Sequence, residues 1–176
     1  MTRHPGGDGH TRELLRLAAL PRGARILDMG AGDGEALRLM RAEGFDAAGI
    51  DLAPGRDVAQ GNMLRCPYPD GSFQGVLAQC SFAVSGDAPG AFREAYRLLA
   101  PGGALMYSDV VLPGAGAAPA AERAGFAVEH SEDLTAQWRE YYLESLWNGT
   151  AESPPCRVPK GGCGYVMLVC RKERKV

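Results

Sequence analysis

The 176-residue sequence has no apolar stretch long enough to span a bilayer, and its opening, MTRHPGGDGH, lacks the apolar core of a secretory signal. A cytoplasmic protein without membrane attachment is the expectation. Charge of one sign is also missing: 19 basic against 21 acidic residues leave a formal net charge of −2. That balance gives no electrostatic support for a nucleic-acid partner or an anionic membrane, and the short cluster Arg171 to Lys175 reads as a solvated chain end. There is no Cys-x-x-Cys pair. The five cysteines are odd in number, with Cys66 and Cys80 far from Cys156, Cys163 and Cys170, so no disulfide framework is expected. The seven-residue spacing of the last three fits no zinc pattern, and no metal is assigned. No internal repeat and no linker interrupt the chain, and its length fits one domain, 1–176, with one site.

What the sequence does contain is an alternation of helical and strand signals. TRELLRLAAL at 11–20 places its leucines along one helical face, so residues 1–23 read as an N-terminal loop and helix. ARILDMG then reads as a strand, 35–43 as a helix stopped by Gly44, and DAAGIDL at 46–52 as a second strand, which makes one βαβ unit with parallel strands. GVLAQCSF (75–82), PGAFREAYRLLA (89–100) and GALMYSDVVL (103–112) continue as strand, helix and strand. A short helix at 119–124, FAVEHSE as a strand, a helix over 135–147 and the strand GYVMLVCRK follow. Strands that are nearly continuously apolar and separated by helices predict an α/β, Rossmann-like three-layer sandwich around a mostly parallel sheet.

The chemistry concentrates where the first strand meets its helix, in Asp28-Met29-Gly30-Ala31-Gly32-Asp33-Gly34. Ligands of open α/β sheets bind at such carboxyl ends, and alternating glycines permit a tight turn with a ligand lying against backbone N–H groups. A dinucleotide fingerprint starting at Gly30 requires Gly or Ala at position 35, which is Glu35 here. Asp28, Asp33 and Glu35 surround the turn with carboxylates that repel a diphosphate and attract a cationic ligand. Asp51 lies 19 residues beyond Gly32, at the end of the second strand, where a carboxylate can accept from both hydroxyls of a ribose.

With these residues in place, the chain resembles the class I S-adenosylmethionine-dependent methyltransferases of the methyltransferase type 11 kind, from about residue 22 to the last strand. GNMLRCPYPDGSFQGVLAQ looks like the family stretch that caps the adenine before the fourth strand, and REAYRLLAPGGALMYSD like its helix, Pro-Gly-Gly turn and fifth strand. The resemblance implies a seven-stranded sheet whose last strand is antiparallel, with S-adenosyl-L-methionine as cofactor. Its site would comprise Asp28, Gly30, Ala31, Gly32, Asp33, Gly34, Asp51, Leu52, Asn62, Met63, Gln79 and Cys80. Asn62 replaces the commoner Asp, and Gln74 the usual Asp before the fourth strand. Similar short methyltransferases carry a Pro-Gly-Gly and a following threonine, here Pro5-Gly6-Gly7 and Thr11. That segment either folds over the methionine end of the cofactor or frays.

The acceptor is expected to be a small molecule, and no catalytic residue is assigned, because in-line transfer from a sulfonium needs alignment and exclusion of water more than a base. Oligomeric state is unassigned. The connection 133–162, longer than a turn requires, is a candidate substrate cap. Its stripe Leu134, Trp138, Tyr141, Tyr142, Ser145 and Leu146 reads as core packing or as a cap or dimer face. Cys80, Cys156 and Cys163 are candidates for a soft-ligand cluster, while His4, His10 and His130 read as surface residues. The rival functions are a non-catalytic S-adenosylmethionine-binding subunit and a nucleotide-cofactor oxidoreductase.

Overall fold

Glycines and a register shift shape the sheet around which the chain is built. In a computed structural model, which describes residues 5–112, 114, 116–149 and 162–174, the elements run in the order α1 (Gly7–Ala18), β1 (Arg25–Met29), α2 (Glu35–Ala42), β2 (Asp46–Asp51), β3 (Ala59–Gln60) and β4 (Phe73–Gln79). There follow α3 (Ala88–Leu98), β5 (Leu99–Val111), α4 (Ala117–Arg123), β6 (Ala127–Asp133), α5 (Thr135–Trp147) and β7 (Gly164–Arg171). The seven strands form one sheet in the order β3-β2-β1-β4-β5-β7-β6. β1 to β5 pair in parallel, and β7 runs antiparallel to both β5 and β6. This is the expected architecture.

Each face of the sheet carries its own apolar layer. On one, Phe82, Phe92 and Tyr107 meet with ring centroids 5.1 to 5.5 Å apart, and α3 and α4 close over them. On the other, Leu14 and Ala18 of α1, Leu37 and Met40 of α2 and Trp138 of α5 cover Ile26, Leu77, Met106 and Tyr165. Truncating a ring such as Phe82 to alanine in such a layer costs about 3–5 kcal/mol. Helix ends are set locally: Asp87 caps α3 by accepting from Gly90 N at 2.8 Å, and Gly34 enters α2 in a left-handed conformation.

Four boundaries differ from the sequence expectation. The leading helix begins at Gly7, not near residue 11, because Gly6 adopts φ +73 and His10 N bonds Gly6 O. β3 is only two residues long, too short for a periodic signal. β4 stops at Gln79, three residues early, since Cys80 turns to φ +51. β5 starts at Leu99 and absorbs Pro101-Gly102-Gly103 as an irregularity: Phe73 pairs with Leu99, but Gly75 pairs with Ala104.

α5 divides the two readings of its stripe. Leu134, Trp138 and Ser145 are buried, and Trp138 stacks on Tyr165. Leu143, Leu146 and Trp147 face outward, Trp147 being 92% exposed. No described helix is long and apolar enough to cross a membrane.

Candidate active site

The carboxyl ends of β1, β2 and β4 lie side by side, because β1 pairs with β2 on one side and β4 on the other. From β1 the chain turns through Gly30 (φ +90), Gly32 (φ +51) and Gly34 (φ +79), conformations that only glycine adopts without strain. A Cβ at Gly30 would meet the Ser81 side chain and come within 3.1 Å of Met63 Cε, so this glycine is also needed for close approach.

The backbone donors of this turn are directed inward, and that corrects one expectation. Gly30 N and Ala31 N both donate to Ile50 O (2.9 and 3.1 Å), Gly34 N to Ala31 O (2.8 Å), Gly32 N to Asp51 Oδ2 (2.9 Å) and Glu35 N to Asp33 Oδ1 (3.1 Å). The glycines thus give a ligand room rather than a nest of N–H groups. A pyrophosphate needs such donors, whereas a cation does not.

Charge points the same way. Asp28 is 4% exposed at the end of β1. Burial, reinforced by the nearby Asp51 carboxylate, pushes its ionisation up to about 7. A cationic group placed beside Asp28 would stabilise the charged form. Asp33 is exposed and Glu35 half-buried, so of the three turn carboxylates Asp28 is the one enclosed.

Asp51 is held in two directions, by Gly32 N on Oδ2 and by Ala53 N on Oδ1 at 2.8 Å. A carboxylate has about four acceptor sites, so two remain for hydroxyls of a ligand. Leu52 follows it with an exposed side chain, a flat apolar surface beside the acid. Of the two expected adenine-side residues, Met63 leans over Gly30, while Asn62 is exposed and accepts from Leu64 N at 2.8 Å through Oδ1. Their loop is pinned from α3: Arg97 donates to Tyr68 O, Cys66 O, Asp70 and Glu94, and Glu94 in turn accepts from Cys66 N.

At the end of β4, Gln79 accepts from the Thr11 hydroxyl at 3.0 Å. The segment from Pro5 onward is therefore folded against this edge of the sheet rather than frayed. His10, expected at the surface, is buried there, with Nδ1 donating to Pro5 O at 3.0 Å and Nε2 3.0 Å from Met167 Sδ. Cys80 Sγ lies 3.2 Å from the Tyr165 hydroxyl, which also donates to Ser108 Oγ at 3.3 Å. Burial pushes the Cys80 thiol up to about 12, so it is protonated at neutral pH. Cys163 is buried, and Cys156 and His4 lie outside the described residues. Among the described residues no cluster of three His, Cys, Asp or Glu side chains is arranged to hold a metal ion.

Arg97 and Tyr165 are not legible as site-building residues by motif. Tyr165 sits within an ordinary apolar strand pattern and Arg97 within a helix. Only the packing of α3 and β7 brings them to the site.

A Rossmann-like sheet with an antiparallel last strand, an acidic glycine turn after β1 and an acid ending β2 define the class I S-adenosylmethionine-dependent methyltransferase fold. The chain belongs to the methyltransferase domain family, which matches residues 9–147. It is 32% identical over 123 residues to the demethylmenaquinone methyltransferase of Thermus thermophilus, covering 60% of this chain and 56% of that protein. It is 36% identical over 100 residues to the malonyl-[acyl-carrier protein] O-methyltransferase of Halorhodospira halophila, covering 48% of this chain and 34% of that one. The chain thus spans between a third and a little over half of the length of these relatives. Among solved structures, the [4+2]-cyclase SpnF superposes with a TM-score of 0.75 at 23% identity, over 96% of this chain and 81% of that one. That likeness shows the fold, and a cyclase on this scaffold illustrates that fold alone does not fix the reaction.

Proposed function

We propose that the chain is an S-adenosylmethionine-dependent methyltransferase that acts on a small-molecule acceptor. The observation that carries this reading is the pairing of an inward-bonded glycine turn with two neighbouring carboxylates, Asp28 and Asp51, which together suit a cationic nucleoside and not a diphosphate. Family membership supports the transfer, and the two relatives, one a demethylmenaquinone methyltransferase and one a malonyl-[acyl-carrier protein] O-methyltransferase, support an acceptor group of small size.

In this reading Asp51 receives the ribose hydroxyls, and Leu52, Asn62 and Met63 hold the adenine. Gly30, Ala31, Gly32, Asp33 and Gly34 give close approach to the amino-acid end. Asp28 balances its ammonium. Gln79 and Cys80 stand at the methyl end. Held by these residues, S-adenosylmethionine would supply an activated methyl group on its sulfonium. The protein's residues then have to align and enclose the reacting atoms. Cys80, protonated and facing Tyr165, is a wall of that enclosure and not a nucleophile.

The test is a screen of small-molecule acceptors, scored by release of S-adenosylhomocysteine. Turnover with at least one acceptor is expected. Tight binding of S-adenosylmethionine with no turnover across quinol, phenol, carboxylate and amine acceptors would instead favour a binding subunit.

A further inference from the structure

The connection that leaves β4 is held by a carboxylate from the next strand. Asp109 in β5 is 1% exposed, and its partners are backbone N–H groups: Ala83 N donates to Oδ2 at 2.9 Å and Val110 N to Oδ1 at 2.7 Å. Burial pushes its ionisation up to about 6, and the N–H groups of Ala83, Val110, Phe82 and Ser81 oppose that rise. Enclosing a carboxylate with backbone donors alone is expensive, whereas an apolar side chain would fill the same volume without that cost.

The donors belong to a constrained piece of chain. Cys80 takes φ +51, a left-handed conformation that is unfavourable for a residue with a Cβ, and its N–H bonds Ser108 O at 2.8 Å. The three residues after it turn their N–H groups toward Asp109. This path sends the Cys80 thiol to the Tyr165 hydroxyl, 3.2 Å away, and lodges the Ser81 side chain in the space that Gly30 leaves open. Without the carboxylate, the N–H groups of Ser81 and Phe82, both buried residues, would lose their acceptor, and the backbone of Cys80 its restraint.

We infer that Asp109 is a positioning residue for methyl transfer: by gathering the N–H groups of the turn after β4, it fixes Cys80 as the wall at the methyl end of the cofactor. This assignment rests on the S-adenosylmethionine reading above. Asp109 acts through Cys80.

Two variants and the thiols test it. Asp109→Asn keeps the shape but offers one acceptor oxygen in place of two. Ala83→Pro is the milder probe: Ser85 N bonds Phe82 O at 3.2 Å, so Ala83 is the second residue of a β-turn, a position that favours proline, and the N–H given to Asp109 is lost. Iodoacetamide at pH 8 should alkylate Cys80 at least about tenfold faster in Asp109→Asn and about threefold faster in Ala83→Pro than in wild type, while Cys66 and Cys170 stay within about twofold. With the acceptor found by the screen, kcat of both variants should fall at least about fivefold, with affinity for S-adenosylmethionine within about threefold of wild type. Faster reaction at all three thiols signals general loosening and would overturn the assignment. So would an unchanged Cys80 rate or an unchanged kcat in a variant whose melting temperature shows that it folds. Ala83→Pro decides alone if Asp109→Asn does not fold. If the unaltered protein binds no S-adenosylmethionine, the cofactor reading falls, and the alkylation rates still decide whether Asp109 places Cys80.

Discussion

Asp51 Oδ2 accepts the N–H of Gly32 at 2.9 Å, so the acid that ends β2 is fastened to the middle of the glycine turn that ends β1. The bond aims the carboxylate across the edge of the sheet and fixes the turn in the same stroke. Replacing Asp51 by alanine removes both effects, and affinity for S-adenosylmethionine should fall at least tenfold, about 1.4 kcal/mol. Asp51→Asn keeps an acceptor for Gly32 and should lose less than the alanine variant. Equal calorimetric affinity of wild type and Asp51→Ala would remove the ribose role.

Asp28 makes cofactor binding dependent on pH. Its ionisation lies at about 7 in the folded chain, against 3.8 for a free side chain, so between those values the fold holds a proton that the unfolded chain has released. Its contribution to stability therefore falls as pH rises from about 4 to 7 and stays lost above that. Binding of an ammonium has the opposite preference, since it needs the ionised form. Affinity for S-adenosylmethionine should rise as pH increases from 6 to 8. Asp28→Asn should stabilise the ligand-free protein at pH 8 by roughly 1–3 kcal/mol while it weakens binding and flattens that rise. Denaturant melts and calorimetry at pH 6 and 8 read both, and a variant that is less stable and equally pH-dependent would contradict the assignment.

Arg97 holds the loop that carries Asn62 and Met63 through bonds to two carbonyls and two carboxylates. Arg97→Ala should cost about 2 kcal/mol of stability, discounted for its partial exposure, and should speed hydrogen exchange at the Cys66 amide, which bonds Glu94. Discrimination between S-adenosylhomocysteine and S-inosylhomocysteine should shrink, because the base is read by a loop that has lost its anchor. Unchanged discrimination would show that the loop positions itself.

Cys66, Cys80 and Cys170 all have thiols pushed up to about 12, burial being the largest cause. In the folded protein at pH 8 each should react with iodoacetamide at least about a hundredfold more slowly than in the denatured chain. Peptide mapping by mass spectrometry reads the rates. Rapid alkylation at Cys80 would contradict its role as an inert wall.

Much of this was legible in the residues, for physical reasons that differ from place to place. ARILDMG and DAAGIDL announce buried parallel strands because their centres are continuously apolar, and the glycines after Asp28 supply the positive φ that a tight turn requires. β3 was illegible because two residues carry no period, and the early end of β4 because a left-handed Cys80 has no sequence signature. The turn's inward N–H bonds could not be read either, since they depend on where Ile50 and Asp51 lie across the strand pairing. The burial of His10 has no sequence signature for the same reason, since it comes from α1 docking beside Met167, 157 positions away.

Selection of a cationic nucleoside by the edge formed by Asp28, the glycine turn and Asp51 is decided by titration of the wild-type protein with S-adenosylmethionine and with NAD under identical conditions. Saturable one-to-one binding of S-adenosylmethionine and no measurable heat with NAD are expected. Binding of NAD with weak or absent binding of S-adenosylmethionine would contradict it.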